Sequence, residues 1–189
     1  MKHRQAVGFT LLEILLATAI LGLILSLFCS IVISTQRFCW TLSFEMSVKR
    51  QTSMTIKTIC DDLEYLAADQ MYPLNPENSS YLEFKKLLAC TEEGRSVWGP
   101  KIRWEFCPVA NQNTGQLIRT QYSDDGLSVI ESKVVAQDVL KNDPTTGGKG
   151  FSFNKEPAKK LLKINLILQK NDGKGFTVRA AHTLALRLQ

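Results

Sequence analysis

The sequence predicts an α+β chain, a long N-terminal α-helix whose first half can span a membrane and whose second half packs on a mostly antiparallel β-sheet. Three observations predict it. No charge falls between Ile14 and Ile33, no proline appears before Pro73, and the chain beyond Tyr81 alternates apolar and polar residues between Gly-containing turns. With 189 residues there is room for one globular domain behind the apolar stretch. The expected division is residues 1–8, a short basic leader; 9–33, a transmembrane helix; 34–70, its amphipathic continuation; and 71–189, a β-rich domain.

The stretch Ile14 to Ile33 holds ~20 residues, which at ~1.5 Å each match the ~30 Å hydrocarbon core of a bilayer. Lys2 and Arg4 precede it, and basic flanks are held in the cytoplasm, so the remainder is expected outside it. A secretory signal peptide carries its small-residue cleavage site behind the apolar core. Here the small residue, Gly8, stands in front, and a cut there keeps the helix. Glu13 is the unusual residue, because a carboxylate entering hydrocarbon costs at least ~2.5–3.5 kcal/mol and marks a functional position. A cut after Gly8 creates an amine on Phe9, and that cation, on the same or a neighbouring helix, would neutralise Glu13. In the first helical turn Glu13 also meets the favourable end of the macrodipole. The competing reading is a plain signal anchor with Glu13 at headgroup level.

Gly8-Phe9-Thr10-Leu11-Leu12-Glu13, behind a basic leader and ahead of an apolar helix, resembles the cleavage and methylation signal of type IV pilins and type II secretion pseudopilins. The resemblance implies a pilin-like fold and cleavage by prepilin peptidase between Gly8 and Phe9. It implies N-methylation of Phe9, and a role for Glu13 as the acid that pairs with a Phe9-type amine during filament assembly. Ser30 stands about where many major pilins carry a helix-breaking proline, so local melting of the helix is not carried over.

Beyond Ile33 no proline or glycine stops the helix, which is expected to run from about Phe9 to about Ala68. Ile56, Ile59, Leu63 and Leu66 recur at spacings of three and four and form one apolar face, with Lys57, Asp61, Asp62 and Glu64 largely on the other. Phe38, Trp40 and Phe44 read as an interfacial aromatic belt. Met71 to Ser80, with Pro73 and Pro76, reads as a loop.

Strands are expected at Tyr81–Lys86, Lys101–Val109, Leu117–Ser123, Ser128–Lys133, Gly150–Asn154, Leu161–Gln169 and Phe176–Leu188. Ile102, Trp104 and Phe106 alternate with Lys101, Arg103 and Glu105, and Leu162, Ile164, Leu166 and Leu168 with Lys163, Asn165 and Gln169. Asn113-Thr-Gly115, Asp124-Asp-Gly126 and Asn171-Asp-Gly173 supply hairpin turns, because Asn, Asp and Gly accept positive φ. Turn chemistry accounts for these acids without calcium ligation by Asp124, Asp125 or Asp172. Pro144 to Gly150 lacks the first glycine and the final Ser/Thr of a phosphate loop and reads as a flexible surface loop.

The formal net charge is +5, falling to +3 when Lys2 and Arg4 leave with the leader, and the basic residues are scattered. Nucleic acid is not an expected partner. The five cysteines, Cys29, Cys39, Cys60, Cys90 and Cys107, show no CxxC spacing, so neither a zinc site nor any cofactor is expected. Cys29 reads as a small hydrophobe, and an oxidising compartment would permit a disulfide between Cys90 and Cys107. The enzyme reading, a signal-anchored periplasmic catalyst, meets a thin inventory. Only His182 follows the apolar stretch, on an expected strand, and no Ser/His/Asp or Cys/His arrangement suggests itself. Asp61-Asp62 and Glu92-Glu93 are adjacent, so each pair diverges and is expected to be solvated.

The order of elements adds a second likeness. Ile102 to Phe106 paired with Gln116 to Thr120, Val135 to Val139 leading to Gly150-Phe-Ser-Phe153, and two long C-terminal strands together resemble the J-type minor pseudopilin of type II secretion. Glu13 separates the chain from the K-type tip pseudopilin, which usually lacks that acid. The likeness implies no active site and a single-pass protein of the bacterial inner membrane, with its C-terminal domain in the periplasm. Its implied partners are the other minor and major pseudopilins at the tip of a periplasmic filament, and exported substrate proteins. The alternative within the same family of machines is a minor pilin of a type IV pilus or competence system.

Overall fold

The computed structural model describes residues 10–64, 66, 70–74, 76–123, 126–156, 159–173 and 176–187. Helix α1 spans Leu11–Leu63, and eight strands follow: β1 Met71–Tyr72, β2 Tyr81–Cys90, β3 Ser96–Pro108, β4 Thr114–Tyr122, β5 Val129–Leu140, β6 Phe151–Glu156, β7 Leu161–Asn171 and β8 Thr177–Arg187. The chain divides into two units, Met1–Ser43 and Phe44–Gln189.

In the first unit every residue from Thr10 to Trp40 is exposed. By length and composition α1 can cross a membrane.

In the second unit the rest of α1 buries Val48, Thr52, Thr55, Ile56, Ile59, Asp62 and Leu63, a stripe at helical spacing. Together with Leu66 this stripe meets the inner face of the sheet, where Leu82, Trp104, Leu117, Phe153, Leu162 and Ile164 are fully buried. At ~1.5–3 kcal/mol per buried aliphatic side chain, Ile56, Ile59, Leu63 and Leu66 alone make this packing decisive for the fold. The helix ends earlier than the expected Ala68. Lys86 Nζ caps the Asp61 carbonyl at 2.8 Å, and the Leu66 N–H turns back to the Leu63 carbonyl at 3.0 Å, a tighter turn that folds Leu66 into the core.

All strand pairs are antiparallel, in the order β1-β2-β3-β4-β5-β7-β6, with β8 paired to β7. Strand β7 gives one edge to β8 along its whole length and shares the other between β6, over Leu161 to Leu166, and β5, at Leu168. This is the α+β, pilin-like arrangement that the sequence predicts: one long N-terminal helix followed by a mostly antiparallel sheet.

Four local expectations are corrected. Met71 is not in a loop, since it pairs with Phe84 and is buried as part of β1. The β3–β4 turn centres on Asn111, at φ 60°, rather than on Asn113-Thr-Gly115. Gly115 lies inside β4, where a Cβ would collide with the Cys107 carbonyl and the Phe106 ring, so its role is close approach. Strand β5 runs seven residues past Lys133, to Leu140, and accommodates Asp138 at φ 59° beside a register shift, as a β-bulge does. Phe44 leaves the aromatic belt: its ring packs 6.4 Å from that of Phe176, beside the core. Gly126 and Gly173 do adopt positive φ in the expected turns, while Asp124 and Asp125 lie outside the described residues.

Candidate functional site

Gly8 and Phe9 lie outside the described residues, so the expected cleavage point has no geometry here. The chain is described from Thr10, and Thr10 explains how Glu13 is held. The Thr10 backbone N–H and hydroxyl both donate to Glu13 Oε2, at 2.9 and 3.0 Å, and the Glu13 N–H donates back to the Thr10 hydroxyl at 3.3 Å. Thr10-Leu-Leu-Glu13 is thus a reciprocal capping box that opens α1 and satisfies donors the first turn would leave bare. The Thr-x-x-Glu spacing announces this cap in the sequence.

Glu13 also stands at one end of an open groove of about 300 Å³ lined by Ile14, Ala17, Thr18 and Leu21. On the same helix Thr18, Gly22, Ser26 and Ser30 recur every four residues, and a Cβ on Gly22 would meet nothing within 4 Å. Small side chains at this spacing let a second helix approach closely in a bilayer. One carboxylate, held by its own helix, therefore borders a narrow apolar surface.

The sheet carries a second concavity, about 310 Å³, bordered by Asp143, Lys149, Ser152, Asn165, Arg179 and His182. Asp143 organises it. Its Oδ1 accepts the Thr145 N–H at 2.8 Å and Arg179 Nη2 at 2.7 Å, and its Oδ2 accepts the Thr146 hydroxyl at 2.8 Å. The Thr145 amide above all, with the Thr146 hydroxyl and the Arg179 guanidinium, holds the Asp143 carboxyl down at about 2. Residues 144–150, expected to be a flexible surface loop, are in fact tied at several points, for Lys149 Nζ also donates to the Asn78 carbonyl at 2.7 Å.

Serine, histidine and aspartate thus border one cleft. His182 is exposed and makes no hydrogen bond to Ser152 or Asp143 among the described residues; Ser152 instead accepts from Asn165 Nδ2 at 3.5 Å. A nucleophile–base pair needs direct reach between the two side chains, and Asp143 is committed to the loop and Arg179. Asp172 accepts the Phe176 N–H at 2.9 Å, as a turn residue does.

The Cys90–Cys107 bridge that an oxidising compartment would permit is not formed, and both thiols are free. Cys90 faces Ser96 at the start of β3, whereas Cys107 lies near its end, opposite Gln116. Eleven residues at ~3.4 Å each put them far beyond the ~7 Å reach of a disulfide.

The sequence also misplaced Asp62. It is buried against the sheet, where its Oδ2 accepts Arg119 Nε at 2.6 Å and Trp104 Nε1 at 3.0 Å, and its Oδ1 accepts Arg119 Nη2 at 3.1 Å. Asp61 beside it stays exposed, so the adjacent pair diverges as expected.

Scanned against protein-family models and searched against curated proteins and solved structures, the chain finds no match.

Proposed function

We propose that this chain is a minor pseudopilin of a type II secretion system. In this reading prepilin peptidase cuts it after Gly8 and methylates Phe9. The mature subunit joins other pseudopilins at the tip of a short periplasmic filament anchored in the inner membrane, and the filament supports protein export. The observation that carries the reading is the run Gly8-Phe-Thr-Leu-Leu-Glu13 placed directly against an exposed apolar helix. The carboxylate in the first helical turn, bordering an open apolar groove, supports it. In the assembled filament Glu13 neutralises a methylated amine of Phe9, its own or a neighbour's, and the small-residue stripe lets the helices close together.

The test is site-specific crosslinking to co-expressed pseudopilins in membranes of the native host, with export of secreted protein and surface piliation both recorded. Glu13→Ala should insert and be processed, yet lose crosslinks and export. Glu13→Gln should be nearly as defective, because the amine needs charge as well as an acceptor. Normal crosslinking and export by Glu13→Ala would remove the pairing mechanism. Loss of piliation with export intact would move the chain to a pilus instead.

A further inference from the structure

The free edges of the sheet are treated unequally. The outer edge of β2 carries the two-residue β1, next to Pro73, and two register shifts interrupt its pairing with β3. The outer edge of β5 belongs to a strand with three register shifts and with Glu131 and Lys133 along it. The outer edge of β6 is covered by residues 76–79: Ser79 and Phe153 exchange both backbone hydrogen bonds, at 3.0 and 2.8 Å, and the Lys155 N–H reaches the Pro76 carbonyl at 2.8 Å. Short length, bulges, charge and covering chain are the usual ways of keeping an edge from recruiting another strand.

Strand β8 has none of the first three protections except charge, and no covering chain among the described residues. Its eleven residues pair with β7 in one unbroken register, from Leu161↔Arg187 to Asn171↔Thr177, and it contains no proline or glycine. Its other edge has no partner among the described residues. Side chains alternate except at His182: Val178 and Ala180 are buried and Leu184 and Leu186 half-buried on the core side, exposed His182 shares their parity, and Arg179, Ala181, Thr183, Ala185 and Arg187 lie on the other side. The strand carries basic residues and no acid. Arg179 is matched by Asp143, whereas Arg187 makes no ion pair among the described residues.

We propose that β8 is a docking edge for an extended segment of another protein, which adds to the sheet as a further strand. The added segment would alternate apolar residues, continuing the surface of Leu184 and Leu186, with acidic ones facing Arg187. A second copy of this chain is a poorer occupant, since its β8 brings no carboxylate to either Arg187. The inference goes beyond the assembly reading and shares no residue with it, so either can fail alone.

The test uses the full chain in detergent micelles and three synthetic eleven-residue peptides: alternating Val and Glu, alternating Val and Lys, and the Val/Glu peptide N-methylated at every residue, so that neither edge keeps its donors. The Val/Glu peptide should bind and slow hydrogen exchange at β8 amides. The Val/Lys peptide should bind about fivefold more weakly or worse, the scale of an exposed ion pair, and Arg187→Glu should invert that preference. The N-methylated peptide should not bind. Absence of binding, binding without β8 protection, or equal binding of the N-methylated peptide would overturn the proposal. Concentration-dependent protection of β8 without any peptide would overturn it too, by identifying a second copy as the occupant.

Discussion

Asp62 of the helix and Arg119 of β4 meet in a two-pronged pair, Nε to Oδ2 at 2.6 Å and Nη2 to Oδ1 at 3.1 Å, although 57 residues separate them. Trp104, fully buried, adds its indole N–H to the same carboxylate. Removing Asp62 leaves Nε and Nη2 of Arg119, a side chain only 18% exposed, and a buried indole N–H without their acceptor, while Nη1 keeps Gln121. Asp62→Ala should therefore cost ~3 kcal/mol or more, because breaking one half of a buried pair is worse than never having it. Asp62→Asn keeps an acceptor and should cost less. Chemical denaturation followed by Trp fluorescence ranks the three proteins, and equal midpoints would mean that the pair does not anchor the helix.

Much of the fold was legible because its signals are local and repetitive. The charge-free run to Ile33, the spacing of Ile56, Ile59, Leu63 and Leu66, and the alternation around Trp104 and Ile164 each reflect one element meeting one environment. What was missed depends on partners distant in sequence. Asp62 looks like a solvated neighbour of Asp61 until Arg119 and Trp104 are brought to it, and Met71 looks like loop until Phe84 lies opposite. Cys90 and Cys107 seemed pairable because sequence distance says nothing of their position along β3. At the candidate site, Glu13 was legible from its charge and setting, while its hydrogen bonds to Thr10 went unread.

Removing residues 1–38 should leave a soluble, cooperatively folded domain, since every helical side chain buried against the sheet lies at Val48 or beyond. Extending the deletion through Leu66 removes Ile56, Ile59, Leu63 and Leu66 and exposes the inner face of the sheet, at ~1.5–3 kcal/mol for each lost side chain. The shorter deletion should melt in one transition by circular dichroism and the longer one should aggregate. Matching melting curves would contradict the packing of helix on sheet.

Co-expression with a prepilin peptidase should shorten the chain by eight residues and leave an N-methylated Phe9, read by mass spectrometry of the mature N-terminus. A bulky residue at position 8 obstructs close backbone approach in the protease, so Gly8→Val should accumulate uncut. Cutting of Gly8→Val at the parent's rate would show that the motif is not a peptidase signal.

Acid should loosen the loop around Asp143. Its carboxyl is held at about 2 in the folded chain, against 3.8 ordinarily. A depressed carboxyl contributes stability that is fully present above pH 3.8 and is lost as pH falls toward 2. The melting-temperature difference between parent and Asp143→Asn should thus be constant above about pH 5 and shrink through that window. A difference that stays level down to pH 2 would show that the charge of Asp143 is not what ties the loop to Arg179.

The capping box at the start of α1 means that Glu13 never meets a partner empty-handed. On the proposed assembly reading, an incoming amine would reach a carboxylate whose Oε2 already accepts from the Thr10 amide and hydroxyl, so it would either bind through Oε1 or displace part of the cap. On that reading a chain awaiting a neighbour would already have its carboxylate partly satisfied by its own helix. Filament growth, so proposed, would begin where a neighbour presents both the amine and a helix surface fitted to the small-residue stripe, and initiation would then be more selective than insertion.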